Sequence, residues 1–147
     1  MPSAQASLLR NAIAAALPAL QNFSEEHAST GAGNWTRKQE LGHLIDSASN
    51  NHLRFVNAAL NGSYKGPSYQ QAASVNLHDY AGLPWTKLVD FWSAYNELLA
   101  HLVEQIPDHA MAYLCRVGTD DPVTLGFLIE DYVTHMQHHL NHITENE

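Results

Sequence analysis

Apolar residues recur with helical spacing in four segments of this chain. In the first, Leu9, Ile13, Ala16, Leu17 and Leu20 form one stripe of an amphipathic helix from about Ser3 to Asn22, with Pro18 a point of kinking or early termination. The second begins after Trp35, where Thr36 with Gln39 three residues on makes a capping-box signature; it runs to about Leu60, where Asn61-Gly62 stops it. The third opens near Pro84, a residue favoured in a first turn, carries Leu88, Phe91, Trp92, Tyr95, Leu99, Leu102 and Ile106 at helical spacing, and ends before Pro107. The fourth starts near Asp121-Pro122, the acid capping and the proline in the first turn, and runs to about Ile143. No stretch shows the clear two-residue alternation of a strand, and there is no internal repeat.

Long connections join the second helix to the third (Asn61 to Leu83) and the third to the fourth (Pro107 to Asp120), with a short extra helix expected around Tyr69 to Val75. Four amphipathic helices so connected predict an all-α fold, a four-helix bundle in a single domain spanning residues 1–147. Bundles of this kind build metal sites from side chains on facing helices.

Composition narrows the picture without changing it. The chain is 45% hydrophobic and 15% charged, as globular proteins are, and no apolar run approaches the ~20 residues that span a bilayer. The apolar stretch from Ala12 to Leu17 follows a single basic residue, Arg10, and keeps helical periodicity, so it reads as part of the first helix rather than a secretion signal. Cys115 is the sole cysteine, which excludes an intrachain disulfide and favours a cytoplasmic setting; a small buried residue is expected there rather than a nucleophile. A formal charge of −8, with 7 Lys+Arg and no basic cluster, opposes binding to nucleic acid or to an anionic membrane.

The unusual feature is 10 histidines, of which His135, His138, His139 and His142 lie in the last helix. They make two overlapping H-x-x-x-H pairs, and either could bind a metal because i and i+4 side chains share a face. Periodicity separates them. Leu125, Leu128, Ile129, Tyr132, Met136, Leu140 and Ile143 define the apolar arc; His139 falls inside it and His135 on its flank, whereas His142 is further round and His138 points largely away. The inward pair is His135 with His139. Two ligands do not close a site, and without a third these residues are equally a solvated face with one core histidine. Candidates for the third are His27, His43, His52, His78, His101 and His109. In the second helix the apolar arc of Leu41, Leu44, Ile45, Ala48, Phe55 and Val56 contains His52, so periodicity alone favours His52. His43 lies on the other side with Ser47, Asn50 and Arg54, a stripe that suits either a solvated face or the wall of a polar pocket. Asp46, three residues from His43, could tune a ligand, act as a base, or be an ordinary exposed acid.

The sequence resembles the DinB/YfiT-like metalloproteins in Gly33-Asn34-Trp35-Thr36, Gln39, His43-Leu44, Asp46-Ser47, Asn50 and Arg54-Phe55, and again in Thr124-Leu125, Tyr132-Val133, His135, His138-His139 and His142-Ile143. The resemblance implies a ligand set of His43, His135 and His139, against the periodicity vote for His52. It departs from the YfiT-like pattern at Gly42 and Ala48, where those relatives carry histidines. Three neutral imidazoles leave at least one coordination position open, the layout of a catalytic site; zinc or nickel suits them best, with iron or manganese also compatible. The resemblance further implies an enzyme in which the divalent metal activates a thiol or water, as a thiol S-transferase or a hydrolase. Asn50 and Arg54 would orient a small-molecule substrate, such as a low-molecular-weight thiol, with Asp46 a supporting acid. The competing reading is a non-catalytic metal-binding or stress-response protein. Either accommodates a homodimer built on apolar positions opposite the core arc of the last helix, such as Phe127 and Val133.

Overall fold

The computed structural model describes residues 2–31 and 33–145. Helix α1 (Pro2–Asn22) buries Ala6, Leu9, Ile13 and Leu20 and continues through Pro18 instead of ending there. A short α2 (Glu25–Ala28) follows, capped by the Ser24 hydroxyl, which accepts from the His27 amide at 3.0 Å. Helix α3 (Arg37–Asn61) starts with the capping box in place: the Thr36 hydroxyl accepts from the Gln39 amide, and the Gln39 side chain accepts from the Thr36 amide. It ends at Gly62, whose φ of 83° is the left-handed conformation that glycine adopts without a Cβ penalty.

The long connections contain more order than expected. Strand β1 (Ser63–Gly66) follows α3, and a helix α4 (Gln71–His78) lies slightly beyond the stretch expected to carry one. Helix α5 (Trp85–Gln105) begins one residue after Pro84, so the proline is the cap and not the first turn. The Trp85 amide donates to Glu25 Oε2 at 2.7 Å, so α2 supplies the capping group. Strands β2 (Leu114–Val117) and β3 (Val123–Thr124) complete a three-stranded sheet of order β1-β2-β3, β1 parallel to β2 and β2 antiparallel to β3. The sheet is small and leaves the all-α bundle as expected, although no strand is marked in the sequence. Strands of two to four residues are too short for alternation to register.

Helix α6 (Leu125–Glu145) therefore starts later than Asp121-Pro122 suggested, because Val123 and Thr124 are paired with β2; the Thr124 hydroxyl then accepts from the Phe127 amide at 3.1 Å. The bundle packs α1 against α5 and α6, and α3 against α5 and α6. Trp92, Leu99, Phe55, Ile129 and Met136 are among its most buried side chains. Tyr132 donates to Asn96 Oδ1 and so ties α6 to α5 within the core. Val133, expected to be exposed, is buried, because α6 is covered by α1 as well as α3; Phe127 is exposed. Cys115 is fully buried on β2, and burial pushes its thiol up, so it keeps its proton as a packing residue. No helix among the described residues is long and apolar enough to cross a membrane.

Candidate metal centre

The register between α3 and α6 is set at one end by Arg37. Its guanidinium donates from Nε to the Ile143 carbonyl at 3.0 Å, fastening the start of α3 to the end of α6, and from Nη1 to the Thr30 carbonyl at 3.2 Å, holding the segment between α2 and α3. From that clamp the two helices run in opposite directions. Successive turns of α3 present Glu40 to His139 and His142, then His43 to His135 and His139.

His43, His135 and His139 converge, each offering one ligand atom, with all three atoms within 4.8 Å of one another. His135 Nε2 lies 3.4 Å from His43 Nε2 and 3.1 Å from His139 Nε2. Nitrogens bound at about 2.0–2.1 Å to a tetrahedral ion lie roughly 3.3 Å apart, so the donor set fits a divalent cation. His43 is 1% exposed, and its Nδ1 has no hydrogen-bond partner among the described residues. The Trp35 ring packs 5.0 Å from its own.

Burial disfavours protonation at two of the three histidines. Burial, reinforced by the neighbouring His139 and His135, lowers the His43 pKa to about 4, and burial with His139 lowers that of His135. Neutral imidazole is the form that binds a metal. Glu40 provides the complement. It is 5% exposed and accepts from His139 Nδ1 at 2.8 Å through one oxygen and from His142 Nδ1 at 2.6 Å through the other. Burial would raise its pKa, but the hydrogen bonds from His139 and His142 outweigh that and hold it below the usual carboxylate value. A His139 tautomer that donates from Nδ1 to Glu40 leaves the Nε2 lone pair for a metal at the cluster, where Nε2 lies 3.1 Å from His135 Nε2. Sequence reasoning passed over Glu40. The signal was present: an acid three residues before His43 shares its helix face.

The other candidate third ligands lie elsewhere. The His52 ring is half-buried, with Nδ1 3.0 Å from the Tyr95 hydroxyl; His78 is exposed beside Ser74 and Asp46; His27 contacts Phe23, and His101 and His109 are exposed. His138, as the periodicity indicated, is on the solvent side, while His142 reaches back to Glu40.

The three polar residues named with the site are divided by α3. Arg54 is buried and lines a cavity of about 280 Å³ together with Ser47, Asn51, Tyr69, Asp131 and His135, so this cavity opens onto the histidine cluster. Asp46 and Asn50 line a different cavity of about 490 Å³, walled by Ile45, Leu88, Phe91 and Tyr95. Asp46, 3% exposed, accepts from the Tyr80 hydroxyl at 2.6 Å and from the Ser74 hydroxyl at 2.7 Å, and Asn50 donates to the Asp46 carbonyl at 2.9 Å. The Tyr80 ring also explains Gly42: a Cβ there would lie 2.2 Å from that ring, so no larger residue fits before His43. Ala48 is fully buried in the core, which leaves no space for an imidazole. Burial, with the Asp46 charge adding to it, pushes the Tyr69 hydroxyl up to about 12, so it stays a neutral donor.

Comparison with known proteins agrees with this architecture. The chain is 26% identical over 123 residues to a protein of Oceanobacillus iheyensis named "Putative metal-dependent hydrolase OB0782", covering 84% of this chain and 71% of that one. Its fold matches that of YfiT from Bacillus subtilis, described as "a probable metal-dependent hydrolase with an unusual four-helix bundle topology", with a TM-score of 0.87, 22% identity, and coverage of 98% of this chain and 84% of YfiT. The family model of the DinB superfamily matches residues 8–143, from the first turns of α1 almost to the end of α6, and the chain therefore belongs to the DinB superfamily.

Proposed function

We propose that this protein is a metal-dependent enzyme that activates a thiol or a water molecule at the site formed by His43, His135 and His139, acting as a thiol S-transferase or a hydrolase. The observation that carries the reading is the convergence of three imidazole nitrogens from two helices beside a polar cavity. The name of the Oceanobacillus relative supports the metal-dependent part of it. A divalent ion, zinc or nickel by the softness of the donors, would keep at least one coordination position open and lower the pKa of a thiol or water occupying it.

The chain's own residues supply the rest. His43 and His135 are held neutral by burial, and Glu40 orients His139, so the donors are arranged before any ligand arrives. Arg54 and Tyr69 present donors to a small molecule in the cavity next to His135. Asp46 and Asn50 act in this proposal through α3: Asp46 holds the Tyr80 ring over Gly42, next to His43, and Asn50 braces the Asp46 backbone. They are positioning residues, and the test of that role is whether Asp46→Asn changes the affinity for metal while leaving the helical content intact.

The decisive experiment combines metal analysis of the purified protein with a screen of low-molecular-weight thiols and activated esters against it. Turnover lost on chelation and regained with one divalent metal is expected. Stoichiometric metal with no turnover of any thiol or ester would favour a non-catalytic metal-binding protein.

A further inference from the structure

Arg54 is 8% exposed, yet none of the ion pairs among the described residues involves it. Its one hydrogen bond runs from Nη2 to the Pro67 carbonyl at 3.3 Å, out of the five donors that a guanidinium carries. A buried charge without a counter-charge is costly, and such groups are normally paired. Here the side chain lines the cavity that His135 also lines, so the missing partner has a place to sit.

The same cavity contains two acids, Asp120 and Asp131, both exposed and neither paired with Arg54. One fixed cation with two acids disfavours a dianion such as phosphate and favours a ligand with one negative and one positive group. Asp131 lies one helical turn before His135 on α6, so a positive group held there would be close to the histidine cluster.

We infer that the cavity beside His135 takes a zwitterionic molecule of the amino-acid or peptide type, its carboxylate on Arg54 and its ammonium towards Asp131. This rests on the proposed function only in assigning the ligand to the reacting cavity. A planar carboxylate matches the guanidinium fork, and the neutral Tyr69 hydroxyl, on the same wall, is a further donor to it. The inference names the substrate class for the thiol or ester sought above: one that carries an α-amino acid group.

The test uses the purified full chain loaded with zinc, and S-methylcysteine as the probe, because it has both charged groups and no thiol to ligate the metal. Its methyl ester lacks the carboxylate, its N-acetyl derivative lacks the ammonium, and inorganic phosphate is the competing anion. Binding is read by calorimetric titration or protein-observed NMR, and metal content is measured on every sample. S-methylcysteine is expected to bind, with the ester and the Arg54→Met variant weaker by roughly tenfold or more, as loss of a charge-assisted pair dictates. The N-acetyl derivative should bind several-fold more weakly than the parent. Asp131→Asn should weaken the parent but not the N-acetyl compound. Arg54→Lys, which keeps the charge without the fork, serves if Arg54→Met is unfolded by circular dichroism. The ester binding as well as the acid, phosphate binding more tightly than either, or no binding of S-methylcysteine would each overturn the inference. A sample that binds the probe but holds no metal overturns the metal reading alone, and one that holds metal but ignores the probe overturns this inference alone.

Discussion

Helices α3 and α6 both supply ligands to the candidate metal centre, yet one could be oriented from its periodicity and the other could not. In α6, Gln137, His138 and Asn141 face solvent while Met136, Leu140 and Ile143 are buried, so apolar spacing points at the inward pair. In α3 every residue from Leu41 to Ala48 is buried. Over a stretch enclosed on all sides there is no polar face to contrast with an apolar one, and buried polar residues line internal cavities instead of the solvent. Periodicity therefore left His43 open between a solvated face and the wall of a polar pocket, and it is among the most buried polar residues described. The rule that hydrophobic residues face the core works where one face is wet and fails where a polar cluster is the core.

The sharpest way to break the contrast is at the ligands themselves. His43→Ala, His135→Ala or His139→Ala is expected to abolish stoichiometric metal binding, each removing one of three donors, as read by elemental analysis of the purified variants. If His43→Ala keeps its metal and His52→Ala loses it, the enclosed face of α3 has been misread and periodicity was the better guide. A smaller loss is expected from Glu40→Gln, which keeps the size but removes the charge that orients His139; metal affinity should fall roughly 10–100-fold in competition with a chromophoric chelator. An unchanged affinity would mean that the Glu40 bonds to His139 and His142 fasten helices without tuning the site.

Weaker effects sharpen the comparison within single helices. His52→Ala should leave metal content intact and cost about 1 kcal/mol of stability in urea unfolding, through the lost contact with the Tyr95 hydroxyl. On α6 the outward pair should itself divide. His142→Ala removes one of the two donors to Glu40 and should weaken metal binding modestly, whereas His138→Ala, with an exposed side chain, should do almost nothing. Equal losses from the two, measured at one fixed pH, would mean that the His142 bond to Glu40 does not influence metal binding.

Much of the fold was legible because it rests on local rules. Thr36 with Gln39, Gly62, and the stripes of α1, α5 and α6 are written in neighbouring residues, and each appears in the structure near its expected place. The sheet was not, since β1 and β2 come from connections some fifty residues apart and are four residues long. Their pairing is a long-range event that no local alternation announces. The start of α6 shifted for the same reason: Thr124 is drawn into a strand by β2, not by its own neighbours.

What the chain by itself determined is the set of long helices and the face of α6 that carries His135 and His139; a matching pattern of residues, not periodicity, pointed to His43, which the structure places beside them. Tertiary structure decided which polar groups share a cavity. Arg54 came to the His135 side, while Asp46 and Asn50 came to the other, although all lie within ten residues on one helix. It also decided that Glu40 joins His139 to His142 across the antiparallel register of α3 and α6. The physical reason is that periodicity gives the angle of a residue around its own helix, whereas a site depends on what the neighbouring helix presents at the same height.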